Sequence, residues 1–105
     1  MIDIQIAKKM VTIQTSAASR NIPFDLSFAE TRKLMNAKKC FFTGKLLNEK
    51  NNDPNKRSFD RIDNKKGYIN GNVVACAEAF NKRKGSLTVD EITILFKALK
   101  KKNLV

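Results

Sequence analysis

The sequence predicts an α+β fold in which a strand–turn–strand–helix unit is flanked by helices. Apolar residues recur every three or four positions towards both ends of the chain, as they do on one face of a helix. The central stretch has short apolar runs separated by Asn, Gly and Lys, which is typical of strands joined by turns. A length of 105 residues suits one domain. We expect residues 1–39 to form helices that support the core unit. The core unit is expected over residues 40–85, and a last helix over residues 88–102.

Two helices are predicted in the N-terminal part. The first covers 4–19, with Ile6 and Ile13 on its apolar face, and the dipeptide Ile22-Pro23 follows it, because proline disfavours helix in the preceding residue. The second begins at Ser27, which has the capping-box spacing to Glu30, and continues to about residue 37.

The central unit lies between Ser58 and Lys84. Residues 59–62 are predicted to form a strand and residues 68–69 a second one, with turn residues between them. From Val73 the apolar spacing predicts a helix, which Gly85 is placed to end.

The remaining segments are a loop and a final helix. Residues 45–57 are polar and rich in turn residues, which predicts a loop. Thr88 and Glu91 again have the capping-box spacing, so a helix is predicted to begin there. Its apolar residues lie on one side, and three lysines follow at its end, where positive charge suits the helix dipole.

Composition favours an anionic partner. The chain carries 21 Lys and Arg against 10 Asp and Glu, a net charge of +11. A polyanion, above all nucleic acid, is therefore the expected partner. Two alternatives stay open: the lysines only keep a small protein soluble, or they bind the acidic face of another protein.

The N-terminal stretch has early charges and lacks the continuous apolar core of a signal peptide, and no run is long enough to cross a membrane. Two cysteines without a leader are expected to be reduced thiols. We expect a cytoplasmic protein with no membrane partner. The small size and the Lys- and Asn-rich composition would suit a phage or mobile-element protein.

Three groups of residues resemble a known family. The segments Asp60-Arg61-Ile62, Gly71-Asn72-Val73-Val74 and Asn81-Lys82-Arg83-Lys84 together are similar to the ββα-metal motif of HNH endonucleases, also called His-Me finger nucleases. The segment Cys40-Phe41-Phe42-Thr43-Gly44 is similar to the cysteine knuckle that precedes the motif. The resemblance covers about half of the chain.

The resemblance implies roles for four candidate catalytic residues. Asp60 and Asn81 would bind one Mg²⁺ or Mn²⁺ ion, which would polarise a phosphate and stabilise the leaving oxygen. Asn72 would hold the loop through backbone hydrogen bonds, and Arg61 occupies the position of the catalytic histidine. Six cations of the same stretch are expected to contact nucleic acid, most of all double-stranded DNA: Arg57, Lys65, Lys66, Lys82, Arg83 and Lys84.

Two departures from the family pattern are visible. The chain contains no histidine, and Arg61 stays protonated, so it cannot accept a proton from water. Asp63 or Tyr68 could act as the base, or metal-bound water could attack without one while Arg61 clamps the phosphate. In the knuckle only Cys40 has a family position, and no structural zinc is expected because such sites use four Cys or His ligands.

Two functions are therefore expected from the sequence. The leading one is an HNH-like DNA-binding protein that acts as a divergent metal-dependent endonuclease and hydrolyses DNA phosphodiester bonds. The other is a catalytically inactive HNH-like module that binds nucleic acid or a protein partner in a regulatory role. The presence of Asp60 and Asn81 favours the endonuclease, and the absence of histidine favours the inactive module.

Overall fold

Four helices and two small two-stranded sheets make up the α+β fold of the protein, seen in a computed structural model that describes residues 2–105. The helices are α1 (Asp3–Ser19), α2 (Phe28–Asn36), α3 (Glu78–Lys84) and α4 (Val89–Lys101). The strands are β1 (Phe24–Asp25), β2 (Arg57–Arg61), β3 (Tyr68–Ile69) and β4 (Val73–Ala77). Among the described residues, no helix has the length and apolar character needed to cross a membrane.

The helix boundaries largely confirm the predicted caps. The Ser27 side chain accepts a hydrogen bond from the Glu30 backbone N–H, and Thr88 and Glu91 form a complete capping box. Gly85 ends α3 with φ at +53°, a conformation that glycine adopts without a steric penalty.

The prediction of a helix from Val73 was wrong. Residues Val73–Ala77 form strand β4, which pairs antiparallel with β2 so that Asp60 lies opposite Val74. The helix begins only at Glu78. Asn72 therefore precedes a strand, and Asn81 lies in the helix that follows that strand.

Strand β3 also pairs differently from the sequence prediction. It lies parallel to β1, with Phe24 opposite Tyr68, and so joins the loop between β2 and β4 to the N-terminal segment. Gly67 makes this contact close, since a Cβ at this position would lie 2.3 Å from the carbonyl oxygen of Pro23. No side chain fits there without displacing the backbone.

Two apolar clusters meet at β4. The larger one joins α1 and α2 to β3 and β4 and includes Ile13, Ala17, Leu34, Tyr68 and Val73. The smaller one consists of Cys40, Cys76 and Ala77, with Phe42 and Phe80 packed against it. Because β4 is buried between both clusters, it supports the β2–β4 hairpin on which the candidate site lies.

Candidate functional site

Asp60 lies near the end of β2 and points towards α3. Side chains alternate between the faces of a strand, so Ser58 and Asp60 share one face of β2. Helix α3 covers this face: the Asn81 amide nitrogen donates to the Ser58 hydroxyl at 2.8 Å, and Lys84 reaches Asp60. Asp60 and Asn81 thus lie on the same side of the hairpin.

The Asp60 carboxylate forms a buried ion pair with Lys84. The Lys84 ammonium donates to Oδ1 at 3.3 Å and lies 3.0 Å from Oδ2, although the second contact lacks hydrogen-bond geometry. Only 9% of the Asp60 side chain and 6% of the Lys84 side chain are exposed. The same ammonium also donates to the Arg61 carbonyl oxygen at 3.1 Å. Lys84 therefore neutralises the carboxylate inside the protein.

This arrangement does not fit a divalent cation at Asp60. A metal ion would have to share one buried carboxylate with an ammonium group already in contact with it, and like charges repel strongly in a poorly hydrated site. No group of three or more Cys, Asp or Glu side chains that could hold a metal ion is found in residues 2–105. Asp60 and Asn81 lie on one side of the hairpin, and the cationic group in contact with Asp60 is the Lys84 ammonium.

Asn72 is buried and braces the loop that joins β2 to β4. Its amide oxygen accepts from the Asp63 N–H at 3.0 Å. Its amide nitrogen donates to the carbonyl oxygens of Asp63 at 3.1 Å and Gly67 at 2.9 Å. These three hydrogen bonds hold the loop directly before strand β4, and the role that the family resemblance implies for Asn72 stays a prediction.

Arg61 is engaged with the same loop. Its guanidinium donates to the carbonyl oxygens of Asn64 at 3.1 Å and Lys66 at 3.0 Å, and it lies over the Tyr68 ring, 5.4 Å from the centroid. These contacts hold the side chain beside the backbone. If Arg61 bound a phosphate, it would do so in addition to making these contacts.

Both alternative bases make hydrogen bonds within the protein. The Asp63 carboxylate accepts a hydrogen bond from the Lys65 N–H at 3.0 Å, as in a turn, and the buried Tyr68 hydroxyl accepts from Arg20 at 3.0 Å. Both side chains therefore contribute to local structure.

The six predicted nucleic-acid contacts separate into internal and external cations. Arg57 pairs with Glu49 at 2.7 Å and donates to the carbonyl oxygens of Leu34 and Ala37, so its guanidinium is used inside the protein. Lys84 is likewise buried. The four exposed cations, here called the basic rim, are Lys65, Lys66, Lys82 and Arg83.

The two parts of the basic rim are joined by Asn64. Its amide donates to the Ser86 carbonyl oxygen at 2.8 Å, which ties the loop carrying Lys65 and Lys66 to the segment that follows α3. The loop cations are therefore held beside the C-terminal end of the helix that carries Lys82 and Arg83.

The knuckle-like segment packs around Cys40. The Thr43 N–H donates to the Cys40 sulfur at 3.4 Å, and Phe41 donates to the Ala75 carbonyl oxygen at 3.0 Å, which docks the segment on β4. Burial opposes thiolate formation at Cys40, but the hydrogen bonds from Thr43 hold its pKa below the usual value. The Phe42 and Phe80 rings stack 5.0 Å apart beside the cysteines, so apolar packing braces this region.

Sequence reasoning missed the pairing of Lys84 with Asp60 and the contact of Asn81 with Ser58. Both contacts join a strand to a helix more than twenty residues away, and no local spacing indicates them. The sequence carries no local signal for the burial of Asp60, because its neighbours are Phe59 and Arg61 and the residue before it on the same face of β2 is Ser58.

Comparison with known proteins gives one relative. The chain is 30% identical over 88 residues to an uncharacterized 29.0 kDa protein of Enterobacteria phage T4, encoded in the dda-modA intergenic region. The match covers 84% of this chain and 35% of the relative, so the chain spans about a third of that protein. No protein-family profile and no solved structure matches the chain.

Proposed function

We propose that the chain is a nucleic-acid-binding protein with an HNH-like ββα motif, in which the Lys84–Asp60 ion pair stands at the metal position. In this interpretation β2, β4 and α3 are the motif. Asp60 lies in its first strand, Asn72 directly before its second, and Asn81 in its helix. The chain binds DNA and does not cut it. The similarity of the chain to a phage protein agrees with an origin of the chain in a phage or mobile element.

The Lys84–Asp60 contact carries the proposal. A nuclease of this type needs a carboxylate that is free to bind a cation, whereas Asp60 has an ammonium 3.0 Å from Oδ2 in a nearly water-free site. Together with the absence of any histidine, this favours binding over hydrolysis.

Charge supports the choice of partner. The net charge is +11, and the basic rim presents four exposed cations on one loop and one helix. Phosphate contacts by Lys and Arg supply most of the affinity in sequence-independent binding. The basic rim is therefore the proposed contact surface.

The binding test measures fluorescence anisotropy of a labelled DNA duplex at several salt concentrations. The double substitution Lys65→Ala/Lys66→Ala should weaken binding and reduce the slope of log K against log salt by about 0.9 for each lost phosphate contact. The matched control Lys8→Ala/Lys33→Ala removes the same charge from α1 and α2 and should change binding less. Equal effects of the two pairs, or no binding at low salt, would contradict the proposal. Competition with duplex RNA shows whether DNA is preferred.

A metal-dependent endonuclease is the second candidate, favoured by the position of Asp60 and Asn81 on one side of the hairpin. Supercoiled plasmid incubated with excess protein and Mg²⁺ or Mn²⁺ tests it. We expect no nicked product. Nicking by the parent protein that disappears in Asn81→Ala would establish the nuclease and refute binding without cleavage.

A further inference from the structure

Helix α4 has an apolar face that no other part of the described chain buries. All thirteen of its residues are exposed. Five large apolar side chains share one side of the helix and keep between 36% and 53% of their surface exposed: Val89, Ile92, Leu95, Phe96 and Leu99. A soluble protein seldom exposes an apolar strip of this kind unless the strip contacts something.

The spacing along the strip is that of a helix–helix seam. Val89, Ile92, Phe96 and Leu99 follow one another at intervals of three, four and three residues, which is the a/d pattern of two-stranded coiled coils. Leu95 widens the face on one side. With 13 residues at 1.5 Å each the helix is about 20 Å long, one residue short of two heptads.

The charges on α4 indicate which partner fits. The first turn carries Asp90 and Glu91, and the last turn carries Lys100 and Lys101. A second α4 in the antiparallel direction would place its basic end beside the acidic end of the first, and their helix dipoles would oppose each other favourably. A parallel copy would place like charges side by side, and a uniformly acidic partner would repel the first turn.

An apolar groove continues the same surface towards the body of the protein. It encloses about 350 Å³ between α3 and α4, and its walls include Phe42, Phe80, Leu87, Ile92 and Leu95. The seam and the groove therefore form one apolar surface on each copy.

We propose that two copies of the chain associate through α4 in an antiparallel arrangement. Val89 then lies opposite Leu99 of the partner subunit, and Ile92 lies opposite Phe96 of the partner subunit. The repulsion between two chains of net charge +11 is largely screened at physiological salt, where the Debye length is about 8 Å. This association is independent of nucleic-acid binding.

Sedimentation equilibrium of the purified chain near physiological salt tests the association. We expect a dimer whose fraction rises with protein concentration. Phe96→Glu should weaken association at least tenfold, because it places a carboxylate in the seam. Ile94→Glu is the matched control, since Ile94 is 65% exposed and lies on the opposite side of the helix. A monomer at all concentrations, or equal effects of the two substitutions, would overturn the proposal.

Disulfide trapping tests the direction of the helices. In the antiparallel register the two Leu95 positions lie near the two-fold axis, whereas the two Leu99 positions lie at opposite ends of the seam. Leu95→Cys should therefore form cross-linked dimers under mild oxidation and Leu99→Cys should not, both measured against the parent with its two buried cysteines. Efficient cross-linking through Leu99→Cys would refute the antiparallel arrangement.

Discussion

At the scale of single residues, the Asp60 carboxylate is paired with the Lys84 ammonium inside the protein. Lys84 is the last residue of α3, and its side chain folds back along the helix to reach β2. A lysine ammonium brings one charge and three hydrogen-bond donors, but it cannot polarise a phosphate as a Lewis acid does. The contact therefore joins the strand β2 to the helix α3.

The ion pair can be tested by a double-mutant cycle. Lys84→Met and Asp60→Asn should each lower the free energy of unfolding by about 3–5 kcal/mol, because each leaves a buried charge without its partner. The double variant should recover most of this loss, since it leaves no uncompensated charge. Urea denaturation of the four proteins measures the coupling. Additive losses would mean that the two groups do not interact energetically.

At the scale of elements, strand β4 shows why part of the fold could not be predicted. Val73 and Ala75 face the larger apolar cluster, whereas Cys76 belongs to the smaller one on the other side. A strand buried on both faces has a continuous apolar run, and periodicity alone cannot distinguish this from a buried helix. The caps at Ser27 and Thr88 were predictable because they depend on local hydrogen bonds.

The candidate site was predictable to a similar extent. Asp60, Asn72 and Asn81 could be singled out by residue type and order, and their roles in a site stay a prediction; the structure shows that Asn72 is hydrogen-bonded to the loop between β2 and β4. The burial of Lys84 and the inward direction of the Arg57 side chain were not predictable, because a lysine or arginine in a sequence gives no sign of whether it points to water or to a distant carboxylate or carbonyl group.

The first turn of α4 is expected to respond to pH. The Thr88 N–H donates to the Glu91 carboxylate at 2.9 Å and holds the pKa of Glu91 below its usual value. The pKa of Glu91 is lower in the folded chain than in the unfolded chain. The cap therefore stabilises the helix at any pH above the ordinary pKa of a glutamate, and this stabilisation is lost as the pH falls through the lowered pKa.

NMR chemical shifts of residues 89–93 between about pH 6 and about pH 3 measure this response. We expect helical shifts at the upper end and fraying of the first turn at the lower end. Glu91→Gln keeps an acceptor for the Thr88 N–H but does not titrate, so the same turn should lose most of its pH dependence. An unchanged pH response in Glu91→Gln would refute the assignment to this carboxylate.

At the scale of the whole molecule, Cys76 reports on global unfolding. Its side chain is completely buried between β4 and the knuckle-like segment, and burial, followed by the nearby Asp60 charge, raises its pKa to about 12. A thiol must ionise and be accessible before it reacts. In the native protein Cys76 should therefore react only through unfolding.

Thiol labelling in a Cys40→Ser background, at about pH 8, measures this behaviour. The rate should be low without denaturant and should rise with urea in parallel with the loss of helical circular dichroism. A rate independent of urea would show that local opening exposes Cys76.

The parallel pairing of β1 with β3 bears on how far the protein can be shortened. The Tyr68 N–H donates to the Pro23 carbonyl oxygen at 2.8 Å, and Gly67 lies directly against that proline. The loop between β2 and β4 thus rests on a segment more than forty residues upstream. A fragment trimmed to β2, β4 and α3 would lose this support, so a minimal folded unit should begin before Pro23.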